Sequence, residues 1–415
     1  MRILRLSWAD HITWTRLFIV SALSDLLDKG ATTDGLRSRF AVAAVLVLFL
    51  GPACNQERGP DQAAQEGQQI FRFDTFGDEA FWTGTLRINE VIQSAVDPVT
   101  ALSVGLKVDS EALPPGLLQT ADLRSPATTV ALIKLNAVVG IKGTVTNVGG
   151  RDTLTSVGIT CALCHSTVDD SVQKGIGKRL DGWANRDLNP GAIIALSPVL
   201  TPDQRAVYNS WGPGRYDPRF NRDGQNFAVL IPPAYGLAGV ALATYTGDGD
   251  ISYWNSYVAV TQMGGQGIFV DPRIDADIHR SPDLVTPKLP ALKAYELSLR
   301  KPAPPAGSFD AQAARRGEAV FGGAGRCASC HGGIALTDDR LHAPAETGVE
   351  GFFASRSATR MYRSTPLRAL WQHAPYFHDG SARTLPDAVD HYDAVLRLGL
   401  SPLQKRDLVE FLKSL

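Results

Sequence analysis

Apolar and polar residues recur with helical spacing in two pairs of matching stretches. Ala63-Ala64-Gln65-Glu66-Gly67-Gln68-Gln69-Ile70-Phe71 and Ala313-Ala314-Arg315-Arg316-Gly317-Glu318-Ala319-Val320-Phe321 share Ala, Ala, Gly and Phe at every matching position, with Ile70 against Val320. The second pair is Leu292-Lys293-Ala294-Tyr295-Glu296-Leu297-Ser298-Leu299 and Leu408-Val409-Glu410-Phe411-Leu412-Lys413-Ser414-Leu415. In each of these, Leu, an aromatic residue and Leu fall at i, i+3 and i+7, which makes one apolar face of a helix. Ser401-Pro402 is an N-cap followed by proline at the first helical position, so the last helix starts there. A repeat this far apart predicts two copies of one mostly α-helical domain. The first spans 55–300 with an insertion of about 72–155, and the second spans 308–415. The proline-rich stretch 301–307 forms a stiff linker between them. Within the insertion, Phe81 to Ala95 is amphipathic and Ala127 to Val139 reads as helix. From Trp183 to Trp254 the Gly, Pro and Asn content predicts irregular structure with little strand. Asp248-Gly249-Asp250 lacks the further ligands of a calcium loop and reads as a plain turn.

Composition adds little until the cysteines are counted. The chain has 415 residues, 44% of them hydrophobic, which is ordinary for globular domains with real cores. Its formal net charge of −1 gives no overall field to attract nucleic acid. Four of its five cysteines lie in two copies of C-x-x-C-H, Cys161-Ala162-Leu163-Cys164-His165 and Cys327-Ala328-Ser329-Cys330-His331. In this pattern each cysteine can form a thioether to one haem and the adjacent histidine becomes the proximal iron ligand. A lone C-x-x-C would also fit a dithiol or half of a zinc site. The abutting histidine in both copies, and the lack of further cysteines to complete a zinc site, argue for two covalently bound haem c groups.

The fifth cysteine has its own setting. Arg37-Ser38-Arg39 precedes the apolar run Phe40 to Leu50 and then Gly51-Pro52-Ala53-Cys54, the layout of an export signal over 36–54. Eleven apolar residues are too few to span a bilayer. The stretch resembles a bacterial lipoprotein signal, which implies a lipid anchor at Cys54, although Gly51 stands where such signals usually have leucine. Cleavage after Ala53 by the ordinary signal peptidase is the other reading. Residues 1–35 are unlike the start of an export signal, and translation is expected to begin near Leu36. Export places the protein in the periplasm or on the extracytoplasmic face of a membrane, which agrees with covalent haem attachment.

Function turns on the ligand opposite each proximal histidine, because a haem with both axial positions filled passes electrons, while an open face binds small ligands. Apart from Met1, the only methionines are Met263 and Met361, one in each half. Met263, flanked by Gly264 and Gly265, lies shortly before the last helix of the first domain and is the candidate distal ligand there; a core-filling role is the alternative. In the second domain Met361 and Tyr392 compete. His378, in a tight His-Asp-Gly turn, is a third candidate.

Arg360 to Arg368, then Pro375-Tyr376-Phe377-His378-Asp379-Gly380, then Thr384-Leu385-Pro386-Asp387-Ala388-Val389 resemble the C-terminal haem domain of the dihaem cytochrome c peroxidase and MauG superfamily. The likeness is specific over about 310–415. The paired helices likewise resemble class I cytochromes c. In that superfamily the distal ligand follows the Ala-Val pair and is Met in peroxidases and Tyr in MauG-like enzymes; the matching residue is Tyr392. The resemblance also implies that His378 binds a haem propionate or fixes the loop. Arg368 and Arg383 are propionate candidates. Trp183, Trp211 and Trp254 are candidates for the tryptophan that these enzymes place between their haems. The leading expectation is a dihaem cytochrome that exchanges electrons with a small redox protein, a cytochrome or a cupredoxin. The alternative is a dihaem peroxidase that reduces hydrogen peroxide at an open first haem.

Overall fold

The computed structural model describes residues 60 to 415, which are mostly helical with six small two-stranded ladders. The export signal, Cys54 and the start of the tether lie outside the described residues. No helix among the described residues is long and apolar enough to cross a membrane.

The elements that matter here are, in chain order, α1 (Pro60–Phe73), α2 (Ile88–Ala95), α3 (Pro126–Lys134), the hairpin β1 (Ile141–Val148) and β2 (Arg151–Ile159), α4 (Ala162–His165), α5 (Ile251–Tyr257), α6 (Leu289–Ser298), α7 (Ala311–Gly322), α8 (Leu385–Leu396) and α9 (Pro402–Ser414). The repeated sequence forms two alike helix crossings, α1 on α6 and α7 on α9. Each crossing is centred on its glycine. A Cβ at Gly67 would overlap the Ala291 carbonyl, and one at Gly317 would overlap the carbonyl of Asp407. Only hydrogen at these positions lets the backbones come this close. Beside each glycine an aromatic pair locks the crossing edge to face: Phe71 with Tyr295 at 5.4 Å and Phe321 with Phe411 at 5.1 Å. Arg316 adds a two-pronged contact to Asp407, at 2.8 and 2.7 Å. Ser401 caps α9 through a reciprocal box with Gln404, with Pro402 in the first turn.

Three apolar clusters result among the described residues, the smallest of them Val229, Phe353, Ala354 and Tyr362. The largest holds Phe71, Trp82, Leu163, Met263 and Tyr295, and the second joins Val320, Phe321, Leu385, Val389, Leu408 and Leu412. The stretch 301–307 carries no regular secondary structure.

The insertion departs from its sequence reading. Phe81 to Ala95 is not one helix: a π-turn over Ala80–Thr85 is followed by Arg87 at φ 56° before α2 begins. Residues 127–139 are helical only to Lys134, and positive φ at Asn136 turns the chain toward β1. The unanticipated element is the β1–β2 hairpin, closed by Gly149-Gly150, both at positive φ, with Val148 paired to Arg151. Such a two-residue glycine turn between alternating β-branched residues is a hairpin signal, and it was legible in the sequence. The hairpin is anchored by Asp78, which is fully buried and accepts from the Ile159 amide at 3.3 and 3.2 Å. Burial pushes the Asp78 carboxyl up to about 9.

From 183 to 254 the chain is mainly turns, as its composition predicts, with short helices and one two-residue ladder. Asp248-Gly249-Asp250 is a turn: Asp250 caps α5 by accepting from the Tyr253 amide, and the buried Asp248 accepts from the Thr246 hydroxyl and the Thr359 amide. This segment is tied to the second half by an ion cluster in which Arg356 reaches Asp217 at 3.0 Å and Asp223 at 2.8 Å.

Candidate haem sites

At the first motif a single helical turn, α4, carries Cys164 and His165, with Cys161 as its N-cap. The turn is held down by Ala162 and Leu163, both buried. His165 Nδ1 lies 2.9 Å from the Pro232 carbonyl. A carbonyl partner fixes the proton on Nδ1, so Nε2 keeps the free lone pair that an iron ligand needs. Burial pushes the ring down to about 4, which holds it neutral. Burial raises both cysteine thiols, and the nearby buried Glu296 adds to the rise at Cys161. Glu296 accepts from Asn255 Nδ2 at 2.6 Å and is itself pushed up to about 8 by burial. Met263 is buried, 3% exposed, in the same core cluster as Ala162 and Leu163, and its carbonyl accepts from Trp82 Nε1 at 2.9 Å.

At the second motif Cys327, Cys330 and His331 open onto a cavity of about 580 Å³, a size normal for a bound organic cofactor. His331 Nδ1 faces the Leu336 carbonyl at 3.3 Å, repeating the tautomer-fixing contact of His165 more loosely. Tyr392, on α8, lines this cavity. Burial pushes its phenol up to about 12, with Cys330 and Cys327 adding to the shift. Met361 is 39% exposed and does not line the cavity. It immediately precedes a two-residue strand whose first residue, Tyr362, is buried. His378 is buried, 3% exposed, and stacks on Tyr362 at 4.7 Å. Its Nε2 lies 3.1 Å from the Tyr362 hydroxyl and 3.2 Å from Glu350 Oε2. That places it in the cavity wall with its ring nitrogen already engaged.

The cavity fits a haem in its polar lining as well as its size. Arg186 Nη1 and Arg363 Nε are buried with no hydrogen-bond partner among the described residues, and both side chains line the cavity. Unsatisfied buried guanidinium groups are costly unless something anionic answers them, and a haem carries two propionates. Burial has pushed Arg363 down to about 10, the mark of a cation kept from water without a full partner. The sequence pointed instead to Arg368 and Arg383. Arg368 also lines the cavity, but it donates to the carbonyls of Gly236 and Ala238, and Arg383 is exposed. Arg186 was not recognisable, since it belongs to the first half and reaches the second motif only through the fold.

Aromatic residues fill the ground between the motifs. The Gly182 amide donates to the His165 carbonyl at 2.8 Å, and the Ala234 amide donates to the Gly182 carbonyl, also at 2.8 Å. Trp183 and Tyr235 therefore emerge side by side, with ring centroids 6.2 Å apart, and Trp183 also meets Trp371 at 5.9 Å. Tyr235 and its partner His373 line the second cavity. Of the three tryptophans raised by the sequence, Trp183 occupies this bridge. Trp211 is fully packed against Tyr208 and Phe220, and Trp254 packs against Tyr253 and Tyr257.

No family model matches the chain. It is 36% identical over 123 residues to the methylamine utilization protein MauG of Methylorubrum extorquens, and 32% identical over 123 residues to the MauG of Methylophilus methylotrophus. Each match covers 25% of this chain and 34% or 37% of the relative, so the chain spans about a third of the length of the curated relatives it matches. Among solved structures, a MauG-like protein associated with microbial copper homeostasis aligns with a TM-score of 0.32 and 18% identity, over 46% of this chain and 75% of that one.

Proposed function

From the relationship of this chain to the MauG and dihaem cytochrome c peroxidase superfamily, we propose an exported dihaem c-type cytochrome that passes electrons between its two haems and a small redox protein, a cytochrome or cupredoxin. The observation that carries this reading is the aromatic bridge from the Gly182 turn beside His165, through Trp183 and Tyr235, to the wall of the second cavity. Haem iron, bound through Cys161, Cys164 and His165 and through Cys327, Cys330 and His331, would supply the one-electron redox chemistry. The chain's own residues orient and insulate it. Pro232 and Leu336 hold the two imidazoles in the ligating tautomer, Arg186 and Arg363 neutralise carboxylates, and the apolar clusters exclude water. Tyr392, which lines the second cavity, would help to hold the second haem, and Met263 would do so at the first. Replacing Trp183 by leucine should slow electron equilibration between the two haems after rapid partial reduction, while the haem count stays at two. An unchanged rate would remove the bridge from the path, and a count of one would defeat the dihaem reading.

A second reading, a peroxide-reducing MauG-like oxidoreductase, is favoured by one observation: the cavity is lined by Tyr392 and not by Met361. A hard anionic oxygen donor favours the higher oxidation states of iron. If hydrogen peroxide leaves the haem spectra of both the oxidised and the half-reduced protein unchanged, this second reading fails.

A further inference from the structure

We propose that Tyr235 and His373 form a redox-active pair, in which Tyr235 gives up an electron while its phenolic proton passes to His373 Nε2. The proposal rests on the dihaem reading only for its biological setting, because the pair's chemistry follows from its own geometry. The Tyr235 side chain is buried, 4% exposed, and its oxygen lies 2.9 Å from His373 Nε2 with the rings 6.1 Å apart. Gln372 Nε2 donates to the same oxygen. With that donor supplied, the phenol's own O–H is directed to His373, whose Nε2 must be the accepting nitrogen. Burial and the neighbouring Arg186 keep His373 neutral, so its lone pair is free. The Arg186 guanidinium also donates to the His373 carbonyl at 3.4 Å, which fixes the backbone that carries the ring.

Oxidising a tyrosine without moving its proton would leave a buried cationic phenol, a costly species in an apolar wall. A positioned base removes that cost, and here the base is in hydrogen-bond reach before oxidation begins. Trp371 makes the contrast. It sits two rings away through Trp183, and its buried Nε1–H has no hydrogen-bond partner among the described residues. Within this cluster an oxidising equivalent that moves through Trp183 therefore has a stable resting place at Tyr235 and none of that kind at Trp371.

The step balances as Tyr235–OH plus neutral His373 giving the neutral tyrosyl radical, protonated His373 and one electron, and the electron goes to a one-electron oxidant. The oxidant for the test is a photogenerated ruthenium(III) polypyridyl complex, made by flash excitation of the ruthenium(II) complex with a cobalt(III) ammine as quencher, so the test needs no peroxide chemistry. On the purified haem-loaded protein, a neutral tyrosyl signal should appear by electron paramagnetic resonance. Tyr235→Phe should abolish it, and His373→Gln should slow its formation by roughly a hundredfold, the loss expected when a positioned base is removed. Wild-type formation should be slower in deuterated water, and this isotope effect should vanish in His373→Gln. A wild-type protein with no tyrosyl signal, an equal signal in Tyr235→Phe, or an unchanged rate in His373→Gln would each overturn the pair. Unaltered far-ultraviolet circular dichroism and melting temperature in both variants show that the fold is kept. Haem count and electron equilibration on the wild-type protein test the dihaem reading separately, so either can fail while the other stands.

Discussion

At the scale of single residues, the second site separates two side chains that spectroscopy can tell apart. Tyr392 lines the cavity and Met361 is at the surface. Tyr392→Phe should shift the absorption of one haem and leave the other unchanged, whereas Met361→Leu should leave both spectra as they are. A spectral change on replacing Met361 would reverse that assignment. Asp78 gives a test of pH dependence. Its folded-state value, about 9, lies above the ordinary carboxyl value, so the folded protein holds its proton more tightly than the unfolded chain. Its stabilising contribution is therefore complete below the usual carboxyl range and is lost as pH rises through about 9. Melting temperatures of wild type and Asp78→Asn should diverge between pH 5 and 9, with the asparagine variant gaining on wild type as pH rises. Parallel curves would show that Asp78 is ionised in the native state.

At the scale of elements, glycine decides how closely the paired helices approach. Gly317→Ala puts a methyl group on the Asp407 carbonyl, and overpacking of this kind costs about 1–3 kcal/mol. A loss of that size in denaturant unfolding, with a lower yield of haem-loaded protein, is expected. A neutral substitution would mean that α7 and α9 can slide apart freely. The helix pairs were legible because their signals are local: a glycine, an aromatic residue and leucines at fixed spacing on one face. The last helix begins where Ser401-Pro402 places it. The insertion was read less well because helical periodicity there competes with signals that terminate helices. Arg87 and Asn136 adopt left-handed backbone, which asparagine favours but an arginine side chain does not announce. The β1–β2 hairpin is announced by Gly149-Gly150 between its strands. The haem cysteines and histidines are legible because they are contiguous, while the cavity's unpaired cations are not. Arg186 and Arg363 come from distant parts of the chain, and each is left with one unsatisfied N–H only once the fold has buried it.

At the scale of the whole molecule, the turn-rich segment between Trp183 and Trp254 acts as a fastener. Asp217 is fully buried, and burial raises its carboxyl despite the attraction of Arg356. Removing that cation in Arg356→Ala leaves a buried acid unpaired, a change that typically costs about 3–5 kcal/mol. Urea unfolding should register a loss of this order, and the second haem's spectrum should broaden as the wall loosens; full stability in the variant would show that water replaces the arginine. The same segment supplies Arg186, Pro232 and Tyr235 to the cavity that holds the second motif. The cavity at the second motif is thus common property of the two halves, although both of its cysteines and its histidine come from one. Cutting the chain at 301–307 would not yield two independent cytochromes. It would leave one fragment with a cofactor bound on an open face and the other with an apolar wall facing water. Any ancestor assembled by duplicating a small haem domain therefore had to give up the separability of its parts when that wall was built.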